Sequence, residues 1–373
     1  MKHNWEYKRL GDVCKLCVGG DKPADISEIQ NSDNSIPVFS NGIENEGLYG
    51  YCKKSTIQEP SVTISGRGTL GVPFIRRNPF VPIVRLVVAT PDYSLRLEYL
   101  YYWLLFRKFS GNGAAIPQLT VPMIRNEVIP VPPIEVQERI VAELDKINDV
   151  VEDCRELLRN LDALAQSLFY DTFGDPVSNP KGWEMKKLSD ECLDIVDGDH
   201  STPPKTDNGI PFITISNIDK NRNTIDFSDT FFVSQSYYDE LKDNRKVRKG
   251  DVLYTVTGSY GATVLIDNQP KFCFQRHIGL IRPKATLNSV FLSFWGRSAA
   301  IKSFADTVAT GIAQRTVSLT SLRNFPLILP PLSLQQQFAE RIEAIEAQKA
   351  NVEATLAEMQ MLLDSRMDYW FND

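Results

Sequence analysis

Two short patterns in this 373-residue chain have the spacing of chemical sites. Gly66-Arg67-Gly68-Thr69-Leu70-Gly71 is a literal GxGxxG placed after the apolar run Val62-Thr63-Ile64. Such a loop holds a dinucleotide pyrophosphate when a helix opens directly behind it, because the helix N-terminus supplies the donors. Here Pro73, Arg76, Arg77, Asn78 and Pro79 come next, and they cannot be that helix. The loop therefore reads as a tight glycine turn between two strands. A corresponding loop later in the chain, Thr257-Gly258-Ser259-Tyr260-Gly261, drops the spacing. Cys14-x-x-Cys17 is the only CxxC, and no second pair completes the four ligands of a structural zinc site. It reads as two ordinary thiols near a strand end.

Little else carries chemistry. Asn78-Pro79-Phe80 is similar to an amino-methyltransferase motif but lacks its second Pro, and no cofactor loop accompanies it. With three His in all, His3, His200 and His277, a metal or nucleophile constellation is not indicated. No paired-carboxylate nuclease signature stands out, so no metal and no cofactor of the chain's own is expected.

The elements that would position any site come twice. Gln118, Leu119, Thr120, Pro132, Pro133, Gln137, Ser167, Phe173 and Asp175 match Gln314, Arg315, Thr316, Pro330, Pro331, Gln335, Ser365, Phe371 and Asp373. From the Pro-Pro pair onward the offset is constant at 198 residues, whereas Trp5 to Trp183 is 178 and Ile36-Pro37 to Ile210-Pro211 is 174. Insertions thus fall in the front of each copy. A repeat this long is two self-sufficient domains rather than a solenoid. Behind each Pro-Pro pair runs a heptad seam: Ile140, Leu144, Ile147, Val151, Cys154, Leu158, Leu161, Ala165 and Leu168, then Phe338, Ile342, Ile345, Lys349, Val352, Leu356, Met359, Leu363 and Arg366. Apolar residues alternating by four and three keep one helix face for a partner helix. Lys349 and Arg366 break the second seam and lower its expected stability. Folding the second helix back antiparallel on the first would bury both seams and return the C-terminus towards the first domain.

Charge separates along the same borders. Residues 1–133 carry 15 basic and 12 acidic side chains, 134–172 carry 4 and 10, 173–332 carry 19 and 17, and 333–373 carry 3 and 8. The helices therefore carry −11 between them and the domains +5, which leaves the domains free to face a polyanion. No apolar h-region opens the chain, and the greasiest stretches, 81–89 and 325–332, are short and broken by Pro or Arg. With six scattered Cys, a cytoplasmic protein with no membrane contact is expected.

Short β-branched and aromatic runs (36–40, 62–64, 212–215, 252–256, 272–274) alternate with Gly, Asn and Asp turns. Helical patches stand in matching places at 98–109 and 290–304, with Tyr102, Trp103, Phe106 and Phe291, Phe294, Trp295 as core. The expected fold is α+β: two repeated mixed α/β domains, 1–133 and 173–332, separated by long spacer helices, 134–172 and 333–373, that form an antiparallel coiled coil.

The order Trp5-Glu6-x-x-x-Leu10-Gly11-Asp12, an Ile-Pro segment, a glycine loop, Ile116-Pro117-Gln118-Leu119-Thr120 and Ile129-Pro130-Val131-Pro132-Pro133 resembles type I restriction-modification DNA specificity subunits. So does the junction Phe173-Gly174-Asp175-Pro176-x-x-Asn179-Pro180-x-Gly182-Trp183-Glu184. The resemblance covers the whole chain, and the Pro-Pro-to-heptad block is its specific part. It implies two target-recognition domains, each reading half of a bipartite site in double-stranded DNA, with the helices as a ruler. It also implies two methyltransferase subunits, which bring S-adenosylmethionine and flip the target adenine, and motor-nuclease subunits in the full complex. The chain itself would be catalytically silent.

Base edges are read best by Arg, Lys, Asn and Gln, with Ser and Thr as helpers. In the first domain the DNA-binding candidates are Asn41, Lys53, Lys54, Arg67, Arg76, Arg77 and Gln118. In the second they are Lys205, Asn217, Arg222, Thr257, Ser259, Tyr260, Arg276, His277, Gln314 and Arg315. The two fronts differ in length and loops, so an asymmetric target is expected. The competing reading is a non-catalytic protein-interaction scaffold without sequence-specific DNA reading.

Overall fold

A computed structural model describes residues 5–109, 118–268, 271–311 and 315–372. Gln314 and the Ile116-Pro117 pair lie outside the described residues. The chain forms two compact units, Met1–Glu156 with Glu353–Asp373, and Leu157–Val352. The heptad stretches are helices, Ile134–Phe173 and Leu332–Phe371, of 40 residues each. At 1.5 Å per residue each is about 60 Å long.

The first unit is built on a four-stranded antiparallel sheet in the order Cys14–Val18, Val87–Pro91, Ser61–Ile64, Pro73–Arg76. Beside it stands a three-stranded sheet, Leu48–Cys52, Ile36–Phe39, Val81–Pro82, whose last pair is parallel. Glu6–Arg9 pairs with Val128–Val131 next to the long helix. One cluster joins Val62, Ile64, Val87 and Ala89 of the sheet, Tyr99, Leu100 and Trp103 of the helix Leu97–Phe106, and Ile140 and Leu144 of the first long helix. Leu363, Met367 and Phe371 from the end of the second long helix enter the same cluster. Phe371 meets Tyr99 edge-on at 5.4 Å, and Trp370 stacks on Trp5 at 6.1 Å.

The second unit repeats this order: Cys192–Asp197, Ile278–Pro283, Val252–Thr255, Thr263–Leu265 in the larger sheet, and Phe231–Val233, Ile210–Ile213, Cys273–Phe274 in the smaller. Its core is aromatic. Phe169 and Phe173 of the first long helix pack with Phe291 and Phe338, at 4.7 Å between Phe173 and Phe291. The single helical patch expected at 290–304 is two helices, Ser289–Arg297 and Ala299–Val308. Ser298 separates them: its backbone is extended, and its hydroxyl accepts from Ile301 N at 3.3 Å, an N-cap bond that starts a new helix.

The two seam positions that carry charge find carboxylates on the facing helix. In the second unit Lys349 Nζ lies 2.7 Å from Asp162 and 3.2 Å from Glu346. In the first, Arg366 pairs with Glu143, whose other oxygen accepts from Trp370 Nε1 at 3.2 Å. A long stem with its head at a carboxylate keeps such a position occupied without burying a lone charge.

The repeated glutamine has a definite task. Gln137, fully buried, accepts from Arg96 N at 2.8 Å and donates to the carbonyls of Ser94 (2.8 Å) and Pro132 (2.9 Å). Gln335 does the same with Asn288 N at 2.8 Å, Thr286 O at 3.3 Å and Pro330 O at 2.8 Å. One amide thus fastens the first turn of each long helix to the loop before the unit's aromatic helix.

Candidate nucleic-acid interface

In each unit the loop between the third and fourth strands of the larger sheet, in the order given above, is held by the same bonds. After Ile64, Gly71 N donates to Ser65 O at 2.8 Å, and the Ser65 hydroxyl accepts from Val72 N at 2.9 Å. After Tyr254, Gly261 N donates to Thr255 O at 3.0 Å, and the Thr255 hydroxyl accepts from Ala262 N at 3.0 Å. Gly68 and Gly71 have φ of 74° and 78°, and Gly258 and Gly261 have 69° and 94°. Glycine is needed at both places because L side chains rarely adopt this backbone. The later loop therefore keeps the Gly-x-x-Gly spacing, contrary to expectation; only the first glycine is exchanged, for Val256. No helix comes directly behind either loop, so neither is a dinucleotide cradle. Cys14 and Cys17 lie three apart on one strand, hence on opposite faces, and burial pushes the Cys14 thiol up to about 12.

A second segment clamps each loop. Leu119 N donates to Gly66 O at 3.0 Å and Val317 N to Val256 O at 2.8 Å. The clamp sets Gln118 opposite Arg67 and Thr316 opposite Thr257. Thr120 and Ser318 then stand at the N-caps of Val121–Arg125 and Leu319–Arg323. The offset of 198 residues thus reaches back to residue 118. Matching Gln118-Leu119-Thr120 with Gln314-Arg315-Thr316 by letter is two residues out of register, and the counterpart of Gln118 is Thr316.

A third element is the turn before the central strand, Val84-Arg85 in one unit and Arg276-His277 in the other. Arg85, which sequence reasoning missed, is exposed with Nη1 3.4 Å from Gln118 Oε1. Its counterpart is His277, since Val87 and Gly279 hold the same register against Ile64 and Tyr254. Aligning the strands rather than the letters would have exposed Arg85. Burial, and then Arg276, hold the His277 imidazole below its ordinary value, which favours the neutral ring, able to donate and accept. Thr257, Arg276, His277 and Thr316 share one cleft of about 310 Å³.

The other candidates divide by burial. Asn41 spends its amide on the scaffold, accepting from Gly66 N and donating to Val84 O, both at 2.7 Å, and so ties the loop to the turn. Arg76 is 5% exposed, bonded to Thr63 and Glu46 and lying 3.6 Å over the Phe39 ring. Asn217, also 5% exposed, is held by Thr214, Asp226 and Asp229. These three build the framework in this structure. Arg77 is exposed but paired with Glu98 at 2.7 Å. Lys53, Lys54, Lys205 and Arg222 are exposed, with Lys205 over Phe231 at 4.6 Å. Ser259, Tyr260 and Arg315 line a larger cleft of about 740 Å³ with Lys220, Arg297 and Lys302, which the sequence did not single out. Among the described residues no group of three His, Cys, Asp or Glu could hold a metal ion, and no helix is long and apolar enough to cross a membrane.

A family model described as "Type I restriction modification DNA specificity domain" matches residues 2–158 and 180–360. A putative type I specificity subunit of Mycoplasma pneumoniae is 35% identical over 158 residues, covering 41% of this chain and 47% of that protein. A second from the same organism is 32% identical over 38% of this chain and 40% of its own length, so the chain spans about half or less of these two relatives. The type I restriction enzyme MjaVIII specificity subunit of Methanocaldococcus jannaschii is 22% identical over 93% of this chain and 87% of that one. In fold, the chain is similar to the S subunit of a type I restriction-modification system from M. genitalium, with a TM-score of 0.57 at 14% identity over 99% of this chain and 96% of that chain.

Proposed function

Because this chain belongs to the type I restriction-modification DNA specificity family, we propose that it is the non-catalytic subunit that reads DNA for such a complex, each unit taking one half of an asymmetric bipartite site. One observation carries the reading: the two units present the same clamped loop with different hydrogen-bonding groups. Arg67, Arg85 and Gln118 stand where Thr257, His277 and Thr316 stand in the copy. A fixed backbone with exchanged donors and acceptors is what two different half-sites require. In this reading residues 1–133 and 173–332 are the target-recognition domains. The long helices pair as an antiparallel coiled coil, supported by Lys349–Asp162 and Arg366–Glu143, and set the gap. Their acidic outer faces are left for two methyltransferase subunits, which carry S-adenosylmethionine, and the motor-nuclease subunits join that assembly in the cytoplasm.

Arg85→Ala, assayed in the complex reconstituted with its methyltransferase subunits on a pool of randomised duplexes, tests this. The variant is expected to relax one base position in one half-site by about 1–3 kcal/mol and leave the other half unchanged. Equal loss at both halves, or methylation indifferent to sequence in the unaltered complex, contradicts the reading.

A further inference from the structure

The larger cleft of the second unit is lined by cations that the comparison of the two loops leaves unused. We propose that it seats a backbone phosphate of the bound duplex, making the second unit the electrostatic anchor of the pair; this rests on the DNA-reading proposal above. Lys220, Arg297, Lys302 and Arg315 surround about 740 Å³ beside the glycine loop, with one carboxylate, Asp306, among them. That carboxylate is engaged: it accepts from Tyr260 Oη at 2.5 Å and lies 3.9 Å from Arg315. Lys220 Nζ is held to the loop by Ser259 Oγ at 3.1 Å. The Arg297 guanidinium lies 3.5 Å over the Phe294 ring, and its buried Nε has no hydrogen-bond partner among the described residues. Burial pushes that guanidinium down to about 10, although the carboxylates of Glu346 and Asp162 pull the other way. An anion in the cleft would add to that compensation.

The fold does not need Arg297. Both aromatic helices begin beside the repeated glutamine, at Arg96 and Asn288, which sets Leu105 in the first unit where Arg297 stands in the second. The loop positions of Ser259 and Tyr260 are Thr69 and Leu70 there. The same scaffold thus forms with a leucine in place of the arginine, and that charge is an addition. Such contacts orient a duplex without reading it.

The test is the salt dependence of cognate-duplex binding by the reconstituted complex, for the unaltered chain, Lys220→Gln, Lys302→Gln and the conservative Lys302→Arg. Each glutamine variant is expected to lower the log–log salt slope by about 1 while the methylated sequence stays the same, and Lys302→Arg to retain the slope. Unaltered slopes in both glutamine variants, with sequence-specific binding intact, overturn the anchor and leave the DNA reading standing. Absence of sequence-specific binding by the unaltered complex removes both. Inorganic phosphate that fills the cleft without weakening duplex binding, beyond the effect of chloride at equal ionic strength, would assign the cleft to a small free anion, and so also overturns the anchor.

Discussion

Replacing Arg282 by methionine is expected to destabilise the second unit by about 3–5 kcal/mol, measured by chemical denaturation. Arg282 clasps Asp251 side-on through Nε and Nη2, at 2.9 and 2.8 Å, and also reaches Asp194 at 3.1 Å and Lys246 O at 2.9 Å. The two paired side chains are 7% and 2% exposed, so removing the arginine strands a buried carboxylate. The first unit shows a gentler solution at the same place. By strand register Ser61 and Thr90 stand for Asp251 and Arg282, and their hydroxyls share a hydrogen bond of 2.7 Å. The double change Asp251→Ser with Arg282→Thr should therefore recover most of the loss, because it removes both charges together. A double variant as unstable as Arg282→Met would show that the bonds to Asp194 and Lys246 O, rather than the stranded Asp251, set the cost.

Gln137→Leu should cost about 3 kcal/mol in the first unit, with Gln335→Leu equivalent in the second. Leucine keeps the volume but leaves Arg96 N and the carbonyls of Ser94 and Pro132 without the amide that satisfied them. The expected signature is a lowered denaturation midpoint with faster hydrogen exchange at Arg96 N. A midpoint unchanged for both variants would mean that packing of Ile140 and Leu144, rather than the amide, fixes the start of the helix.

These two sites show what was legible in the chain and what was not. Periodicity declared the long helices, since an apolar residue every three or four positions has no other use, and the Pro-Pro pairs marked their starts. The glycine turn was legible from the prolines behind it, which stand where a phosphate-binding helix would begin. The repetition of Gln137 was visible, but its role was not, because its partners are 41 and 43 residues away in sequence. Arg76 and Asn217 read as DNA-binding candidates for the same reason. Glu46 and the Asp226–Asp229 loop, which occupy them, are neighbours only after folding. Gln118 matches Gln314 by letter, although what repeats is a buried apolar residue, Leu119 or Val317, before a hydroxyl, Thr120 or Ser318. Ser298 was a readable break: Gly296 and Ser298 together disfavour helix continuity, and an N-cap residue stood inside an assumed helix.

The central claim is that one chain reads two different half-sites at a distance set by its own helices, and mapping methylated adenines in cells carrying the complete system tests it most directly. Chains lacking seven residues from both long helices, 150–156 and 354–360, which face each other in the register set by Lys349–Asp162 and Arg366–Glu143, provide the comparison. The account predicts an asymmetric bipartite sequence with a fixed gap, and a gap shortened by about 10 Å, roughly three base pairs of rise, after the matched deletion. Deletion from one helix alone should abolish methylation. A continuous target, or a gap that ignores the matched deletion, would contradict the account.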